Sequence, residues 1–435
     1  MAGHLNVAEA PQPPACRVLF RNRRSRWVSV SAIALAALSL AAGAPAQDWP
    51  QFRGPERNGV YPGQPTVPPF SSAGPEAVWE RPIGAGFSAP IVADGRVVVF
   101  HRQGDREVVE ALHLGSGERI WEFSYETSYR DDFGFDNGPR AAPVVQKGRV
   151  YTFGAQGRLH CIDFETGAKI WSLDTHSEFD VRKGFFGAAS TPLVMGGRVL
   201  ANVGGGNGAG IVALDANSGE TLWKATDHEA SYSSPVAAQL DGEAVAVFFT
   251  REGLAVVEPA RGEVLYERRW RSRSNASVNA ATPIVAGDFV FLSASYGTGA
   301  IAMKLCNRKI EELWSGEGVI DNHYSSCVLH GRTLYGFHGR QEYGQSLRAA
   351  DLETGEVLWS QDGLRPGSVT RVGDRLLLLL ESGELVLAKT SRDKFEEVSR
   401  AQLLPRETRA FPAVAGGLLL ARDRDTLVCV RLWDR

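Results

Sequence analysis

The side chains with the clearest capacity to bind a ligand stand in short loops, most of which precede a small residue and a proline. They are aromatic, amide and guanidinium groups, a combination typical of a polar ligand pocket or of a rim that docks a peptide. A guanidinium beside an asparagine can make paired hydrogen bonds to a carboxylate or a phosphate. The sequence therefore predicts ligand-binding roles for Asn137, Arg140, Phe186, Asn279, Asn322, His323, Tyr324 and Arg409.

These loop residues also have a purely structural explanation. Glycine, serine and asparagine recur where crowded strands are joined by tight turns, because they accept the backbone angles that such turns need. Arg140 could pair with Asp136 or with a backbone carbonyl and do no more than fix its loop. The sequence alone leaves both explanations open.

No catalytic or metal-ligating motif accompanies the loops. The chain contains neither G-x-S-x-G nor H-E-x-x-H, and its histidines are scattered without the spacing of metal ligands. Cys161, Cys306, Cys327 and Cys429 lie far apart with no C-x-x-C pair, unlike the ligands of a zinc site. We expect neither a catalytic residue nor a metal site. We expect most of these cysteines to be buried and to pack as small hydrophobic residues. Their disulfide state stays open.

The first 46 residues have the layout of a signal peptide. Five arginines precede an uncharged apolar run, which ends in the small-residue cleavage motif Ala44, Pro45 and Ala46. The apolar run is shorter than the ~20 residues that a membrane-spanning helix needs, so cleavage before Gln47 is favoured over an anchor. We expect a periplasmic or extracellular protein without a stable membrane anchor, exported by the general or the twin-arginine route.

Charge and composition narrow the partner classes. The formal net charge of the full sequence is −3, and removal of a segment with five arginines and one glutamate makes the remainder more acidic. This balance is unfavourable for binding nucleic acid or an anionic membrane surface. A hydrophobic content of 43% over 435 residues is enough for a sizeable core. We expect a globular, monomeric protein that binds no nucleic acid.

The elements that position the loops come from one recurring unit. It begins with a small residue, a proline and aliphatic residues, and it ends in D-x-x-[TS]-G-x-x-x-W. The Asp and Thr side chains can bond amides of the turn, and the glycine takes its left-handed position. The starts recur every 42 to 53 residues, at Pro90, Pro143, Pro192, Pro235, Pro283, Cys327, Thr370 and Pro412. The unit predicts four short antiparallel strands.

Such a sheet cannot bury both of its faces alone, so the units must stack on one another. Radial stacking predicts an all-β fold, an eight-bladed β-propeller of four-stranded antiparallel blades. The aromatic residue that ends each unit is large enough to fill the gap between blades, although a row of tryptophans could also form a sugar-binding surface. These predicted inter-blade residues are Trp79, Trp121, Trp171, Trp223, Tyr266, Trp314 and Trp359.

Closure of the ring is predicted from the two ends of the chain. The eighth unit stops at the C-terminus without its fourth strand, and a lone strand around Trp79 precedes the first unit. Pairing of these two strands would complete the last blade and close the ring. The predicted organisation is a signal peptide at 1–46, an extended N-terminal segment at 47–75 and the propeller at 76–435.

The repeated unit resembles that of pyrroloquinoline quinone (PQQ) propellers. This superfamily includes quinoprotein alcohol dehydrogenases and the outer-membrane assembly propeller BamB. The opening DWPQFRGPERNG, from Asp48 to Gly59, and NGPRAAPVV, from Asn137 to Val145, resemble the exported branch without dehydrogenase activity. The resemblance covers residues 48–435. It implies the fold strongly and the activity weakly.

For a dehydrogenase, the resemblance implies PQQ in the central channel, with an adjacent cysteine pair on one ring face and a tryptophan on the other. It also implies an oxygen-ligated Ca²⁺ and an aspartate base. The sequence has no adjacent cysteines. We therefore expect an exported platform that binds a protein or a small ligand at its central funnel, such as an envelope assembly scaffold, and that needs no cofactor. The alternative is a PQQ- and calcium-dependent redox protein.

Overall fold

The computed structural model describes residues 48–275, 277–405 and 408–434, and their regular secondary structure is almost entirely β-strand. The predicted signal peptide lies outside these described residues. Two short strands, β1 (Val60–Tyr61) and β2 (Glu76–Pro82), precede the first complete sheet. None of the helices in the described ranges is long and apolar enough to cross a membrane.

The first three blades each take four consecutive strands. Blade 1 consists of β3 (Ile91–Ala93), β4 (Arg96–Gln103), β5 (Arg106–His113) and β6 (Arg119–Glu126). Blade 2 consists of β7 (Val144–Gln146), β8 (Arg149–Phe153), β9 (Arg158–Asp163) and β10 (Lys169–Asp174), followed by the short helix α1 (Thr175–Phe179). Blade 3 consists of β11 (Leu193–Met195), β12 (Arg198–Asn202), β13 (Ile211–Asp215) and β14 (Thr221–Ala225).

The next three blades repeat this order. Blade 4 consists of β15 (Val236–Leu240), β16 (Glu243–Phe249), β17 (Gly253–Val257) and β18 (Val264–Arg269). Blade 5 consists of β19 (Ile284–Ala286), β20 (Phe289–Ala294), β21 (Gly299–Cys306) and β22 (Lys309–Gly316). Blade 6 consists of β23 (Val328–His330), β24 (Thr333–His338), β25 (Ser346–Asp351) and β26 (Val357–Gln361), with a 3-10 turn at Gln341–Tyr343.

The last two blades each recruit a strand from the N-terminal end. Blade 7 consists of β27 (Gly367–Val372), β28 (Arg375–Leu380), β29 (Glu384–Lys389) and β30 (Glu397–Gln402), with β1 added in parallel beside β27. Blade 8 consists of β31 (Ala413–Ala415), β32 (Leu418–Arg422), β33 (Thr426–Arg431) and β2. Trp79 of β2 lies opposite Cys429 of β33. The predicted eight blades and their closure by both chain ends are confirmed.

The turn motif works as its residue types suggest. In blade 2, the Oδ1 of Asp163 accepts hydrogen bonds from the amide of Thr166 at 2.8 Å and from its hydroxyl at 2.8 Å. Gly167 then adopts a φ of 73°, a left-handed conformation that glycine accepts without a steric penalty. The motif thus fixes the hairpin between the third and fourth strands.

The aromatic residue at the end of a blade binds the neighbouring blade. The indole of Trp171 donates to the carbonyl of Ala216 in blade 3 at 3.1 Å, and a Cβ added at Gly219 would come within 2.8 Å of that ring. Tyr266 instead donates to Asp241 within its own blade and accepts from the amide of Arg308 in blade 5. The other indoles follow the same pattern, in the pairs Trp79–Leu114, Trp121–Phe164, Trp223–Pro259, Trp314–Leu352 and Trp359–Ser391.

The small residue that directly precedes the start of a repeated unit also has a structural role. The hydroxyl of Thr191 accepts from the amide of Ala142 in the preceding blade at 2.9 Å, and the hydroxyl of Ser234 accepts from the amide of Thr191 at 3.0 Å. Ser326 accepts from Thr282 in the same way. Because the inner strands of different blades do not share a sheet, these hydroxyls bridge them near the axis.

Residues 48–61 lie in the centre of the ring. Trp49 and Val92 of blade 1 exchange two backbone hydrogen bonds of 2.9 Å. The carbonyl of Pro50 accepts from the amide of Val145 in blade 2, and β1 pairs with β27 of blade 7. The sequence predicted only an extended segment here, whereas the structure shows a plug that contacts several inner strands.

Two buried arginines attach this plug to further blades. The guanidinium of Arg57 donates to the carbonyls of Thr191 and Pro235, at 3.1 and 3.0 Å, in blades 3 and 4. The guanidinium of Arg53 donates to the carbonyl of Cys327 in blade 6. Both arginines are only 1% exposed, and burial lowers the pKa of Arg57 to about 9 and that of Arg53 to about 10. Both therefore stay charged at neutral pH, and carbonyl dipoles solvate them.

We expect Trp171→Ala to lower the free energy of unfolding by about 3–5 kcal/mol, because it removes a buried ring and leaves a cavity between blades 2 and 3. Trp171→Phe should cost less, since most of the ring volume remains. Denaturant unfolding measures both variants. An unchanged stability of Trp171→Ala would place this ring outside the inter-blade core.

Arg57→Ala should also destabilise the fold, by about 3–5 kcal/mol, because it removes the donor on which buried carbonyls of two blades depend. The matched control is Arg261→Ala, whose side chain is 77% exposed. Loss of its surface ion pairs with Glu258 and Glu263 should change the stability by less than about 1 kcal/mol. If the two substitutions lower the free energy of unfolding equally in urea, the stabilisation of the fold by the plug is contradicted.

Candidate functional site

A funnel opens at the axis of the ring, on the side where the chain enters the inner strands. It has a volume of about 200 Å³. Its polar lining includes Arg140, His323, Gln341, Glu342 and Arg409. Eight aromatic rings dominate the rest of the wall, namely Phe52, Phe87, Phe135, Phe186, Tyr232, Tyr296, Tyr324 and Phe411.

The floor of the funnel comes from the plug. Phe52 packs against Phe411 of the loop that enters blade 8, with ring centroids 5.0 Å apart and nearly perpendicular planes. The guanidinium of Arg53 lies 6.0 Å from the centre of the Phe411 ring. Phe52 thus belongs both to the plug and to the lining of the funnel.

Arg140 lines the funnel wall and is already paired. Its side chain is only 10% exposed, donates to the carbonyl of Asp136 at 3.0 Å and lies 3.3 Å from the carboxylate of Asp131. Its guanidinium also stands 5.7 Å from the centre of the Phe87 ring and 5.8 Å from that of Phe186. The loop-fixing bond that the sequence left open is therefore present, and the same side chain forms part of the wall.

A second guanidinium, that of Arg409, lines the same funnel and lies 5.8 Å from the centre of the Phe87 ring, which Arg140 also contacts. Arg409 forms an ion pair of 2.8 Å with Glu381, and the hydroxyl of Tyr324 donates to the same carboxylate. The guanidinium carbon of Arg409 lies 5.0 Å from the centre of the Phe135 ring and 5.7 Å from that of Tyr324. Cations that are paired and in contact with aromatic rings can pack against a further ring.

His323 is held neutral in the wall. Its Nε2 accepts from the hydroxyl of Tyr296 at 2.8 Å, and its Nδ1 bonds the side-chain oxygen of Gln341. Burial lowers the pKa of His323 below the ordinary value of 6.5. The bond to Gln341 places the ring proton on Nδ1, which leaves Nε2 as the acceptor.

Three of the eight predicted side chains do not line the funnel. Asn322 is fully buried and donates to the carbonyl of Phe337 at 2.9 Å. Asn279 is equally buried and donates to the carbonyl of Thr250. The side-chain oxygen of Asn137 accepts from the amide of Asp131. Each amide thus holds a loop, in line with the structural explanation, and only Arg140, Phe186, His323, Tyr324 and Arg409 reach the cavity.

An exposed aromatic rim borders the funnel. It consists of Phe133, Phe135 and Phe185, which are 55%, 40% and 36% exposed. The ring centre of Phe133 lies 5.1 Å from that of the funnel residue Phe186. Exposed phenylalanines in contact with a cavity mark an interaction surface more often than isolated ones do.

Several lining residues were not predicted. Phe52 belongs to the opening motif, which indicated a family and not a place in the fold. Tyr296 lies in the turn between β20 and β21, although only the loops before inner strands were considered. The spacing of Phe133 and Phe135 in one loop was the available signal for the rim.

Comparison with known proteins connects this architecture to one family. The family described as outer membrane protein assembly factor BamB matches residues 104–361, well over half of the chain. BamB of Burkholderia pseudomallei is 24% identical over 294 residues, which cover 63% of this chain and 69% of that protein. The crystal structure of BamB from Moraxella catarrhalis superposes with a TM-score of 0.59 at 16% identity, over 82% of this chain and 98% of that chain. At this identity the superposition shows the fold alone.

A shorter stretch of the chain is similar to alcohol dehydrogenases. Quinohemoprotein alcohol dehydrogenase ADH-IIG of Pseudomonas putida is 30% identical over 141 residues, which cover 32% of this chain and 19% of the dehydrogenase. The chain spans less than a third of the length of the curated dehydrogenases that it matches. The predicted resemblance to PQQ-repeat propellers is confirmed, and the export of the chain stays a prediction.

The residues around the funnel do not fit the quinone and calcium ion that a dehydrogenase would need. Within the described ranges, no group of three or more histidines, cysteines or carboxylates is placed to hold a metal ion. The sequence has no adjacent cysteine pair, and no tryptophan is among the described residues that line the funnel, although the resemblance implies one on a face of the quinone. We assign no redox chemistry to the funnel.

The lowered pKa of His323 makes the stability depend on pH. The unfolded chain takes up a proton near pH 6.5 and the folded chain does so only at lower pH, so stability falls as the pH drops below about 6.5, with a slope of at most about 1.4 kcal/mol per pH unit for one group. We expect His323→Gln to lose less stability than the parent chain between pH 7.5 and 5.5 in urea unfolding. Parallel losses would show that His323 titrates normally.

Proposed function

Because the chain belongs to the outer membrane protein assembly factor BamB family, we propose that it is a binding propeller whose funnel and aromatic rim hold an aromatic or aliphatic segment of a protein partner. The observation that carries this proposal is the funnel wall itself, in which eight aromatic rings surround a cavity of about 200 Å³. Such a wall is suited to an apolar side chain inserted from one face of the ring.

The rim extends the apolar surface beyond the cavity wall, to which Phe135 also belongs. Phe133, Phe135 and Phe185 are 55%, 40% and 36% exposed, so covering the exposed part of one ring would stabilise a complex by roughly 0.5–1.5 kcal/mol. Aromatic anchors that fill or border a pocket commonly dominate the binding energy of protein interfaces. The rim and the funnel together therefore provide an apolar surface that runs from the exposed rim into the cavity as far as Phe52.

The charges in the wall favour a neutral segment over an anion. Arg140 is paired with Asp131, and Arg409 with Glu381. A carboxylate or phosphate of a ligand would have to compete with these carboxylates for the same guanidinium groups. An aromatic or aliphatic side chain competes with neither and can pack against the faces of both guanidinium groups.

The proposed place of action is the cell envelope. The 46-residue N-terminal segment has the sequence layout of a signal peptide, and the family description concerns outer membrane proteins. An exported propeller that holds an apolar segment of another envelope protein is consistent with both. The partner itself is proposed by its chemistry, as a protein with an exposed apolar segment.

The experiment is site-specific photo-crosslinking in cells that export the full chain. A photoreactive phenylalanine analogue replaces Phe135 in the rim, and in a matched chain it replaces Leu222, which is 47% exposed on the outer strand of blade 3. We expect a discrete protein adduct at Phe135, identified by mass spectrometry as an envelope protein, and none at Leu222.

A second substitution tests whether the adduct at Phe135 depends on the rim. Phe185→Ala in the chain that carries the analogue at Phe135 should lower the adduct yield, because it removes a neighbouring anchor whose loss weakens binding by about tenfold. Leu222→Ala should leave the yield unchanged. Equal adducts at both analogue positions, or a yield that does not respond to Phe185→Ala, would contradict the proposal.

A further inference from the structure

The two guanidinium groups of the funnel lie over aromatic rings of its wall. The ring of Phe87 is shared, since its centre lies 5.7 Å from the guanidinium carbon of Arg140 and 5.8 Å from that of Arg409. Arg140 also stands 5.8 Å from the centre of the Phe186 ring. Arg409 stands 5.0 Å from the centre of the Phe135 ring. Each cation of the wall is therefore in contact with more than one π system.

Ion pairs hold both guanidinium groups by their edges. The Nη2 of Arg140 lies 3.3 Å from the Oδ2 of Asp131 and donates to the carbonyl of Asp136 at 3.0 Å. The Nε of Arg409 lies 2.8 Å from the Oε1 of Glu381. Because the N–H groups of a guanidinium lie in its plane, these bonds use the edges and leave the faces for contact with rings.

Both cations can be reached from the cavity. The side chains of Arg140 and Arg409 are 10% and 18% exposed, and both belong to the lining of the funnel. A neutral group that fills the funnel therefore meets cations whose edges already carry carboxylates. The contact that remains for such a group is with a face of the guanidinium, which attracts π electrons.

Rings of the wall also meet one another edge to face. The ring centres of Tyr296 and His323 lie 5.3 Å apart with planes at 64°, and those of His323 and Tyr324 lie 5.6 Å apart at 61°. Phe186 and Tyr232 meet in the same way, at 5.4 Å and 62°. In such pairs the positive edge of one ring contacts the negative face of another. A further aromatic ring can extend this arrangement, whereas an aliphatic group cannot.

Apolar contact alone does not separate aromatic from aliphatic ligands. A cyclohexyl ring has as many carbon atoms as a phenyl ring and at least as much apolar surface, so its burial is at least as favourable. A cation over a ring face adds an attraction that the saturated ring lacks, which corresponds to about three- to tenfold in affinity. A preference for the aromatic ring would therefore report the guanidinium faces and the ring edges of the wall.

We propose that the funnel selects an aromatic side chain of its partner over an aliphatic one of the same size, and that Arg140 and Arg409 determine this selectivity through their guanidinium faces. The inference rests on the proposed function and deepens it, because it names the side-chain class that enters the cavity. The partner segment then carries a phenylalanine, tyrosine or tryptophan, and it forms no ion pair with either arginine.

The test compares three probes with the full exported chain. N-acetyl-phenylalaninamide carries the aromatic ring, and N-acetyl-cyclohexylalaninamide carries the saturated one. N-acetyl-pentafluorophenylalaninamide carries a ring whose electron-poor face does not attract a cation. Because both replacements are at least as apolar as phenyl, apolar contact alone predicts that they bind equally or more tightly. In saturation-transfer NMR titrations, we expect the phenyl probe to bind about three- to tenfold more tightly than either.

A double variant tests the contribution of one cation. Arg409→Met keeps a straight side chain without its charge, and Glu381→Gln accompanies it so that no carboxylate loses its counterion. The preference for the phenyl over the cyclohexyl probe should fall at least about twofold in this variant. Glu381→Gln alone is the matched control and should keep the preference. Arg261→Met, in the turn between β17 and β18, should keep it as well.

Three results would overturn the inference. Replacement probes that bind as tightly as the phenyl probe would show that the funnel recognises apolar size alone. A phenyl probe without saturable binding would show that the funnel holds no single aromatic side chain. An unchanged preference in the double variant would exclude Arg409 as its cause. The comparison of probes on the parent chain depends on no variant.

This failure differs from failure of the proposed function. Photo-crosslinking at Phe135 detects a protein partner whatever side chain enters the funnel. Failure of the proposed function therefore appears as a missing adduct. Failure of the aromatic selectivity appears as equal affinities for the aromatic and the saturated ring.

Discussion

A ring of eight wedge-shaped blades leaves a space on its axis, and the buried guanidinium of Arg57 holds a chain segment there. This group donates to carbonyls of blades 3 and 4 and to the side chain of Gln51 within the plug. Removing a charge from water is costly unless polar groups replace the solvent, and carbonyl dipoles do so here. The same segment then continues through β1 into β2, which completes blade 8. Filling of the axis and closure of the ring are therefore achieved by one continuous stretch of chain.

This arrangement determines where a partner can bind. Because Phe52 of the plug lines the funnel, the proposed partner would approach from the face that carries the aromatic rim. Loops from most blades converge on that face, so neighbouring cavities of different chemistry share walls. Tyr232 lies in the walls of both the funnel and a neighbouring cavity that is formed by the loops entering blades 3, 4 and 5.

What could be predicted from the sequence was local and periodic. The turn that contains Asp163, Thr166 and Gly167 recurs in other blades. The strand around Trp79 precedes the first unit and has no other three strands of its own, and the last unit could supply them. The plug broke this regularity, because Arg53 and Arg57 bond carbonyls that lie more than a hundred residues away. The amides of Asn279 and Asn322 were predicted from type and loop position, yet each donates to a carbonyl that only the folded backbone brings near. Aromatic residues such as Tyr296 reach the funnel from a turn that the repeat did not single out.

Hydrogen exchange over residues 48–61 tests most directly whether the plug is part of the core and so whether the funnel has a fixed floor. The backbone amide of Trp49 donates to the carbonyl of Val92 in blade 1, and those of Gly54, Arg57 and Gly59 donate to carbonyls of the plug itself. A peptide that covers this stretch should therefore exchange as slowly in mass spectrometry as peptides from inner strands, at a rate governed by global unfolding. Exchange at the rate of an unstructured chain would contradict a fixed floor, because it would show that the plug does not stably fill the axis of the ring.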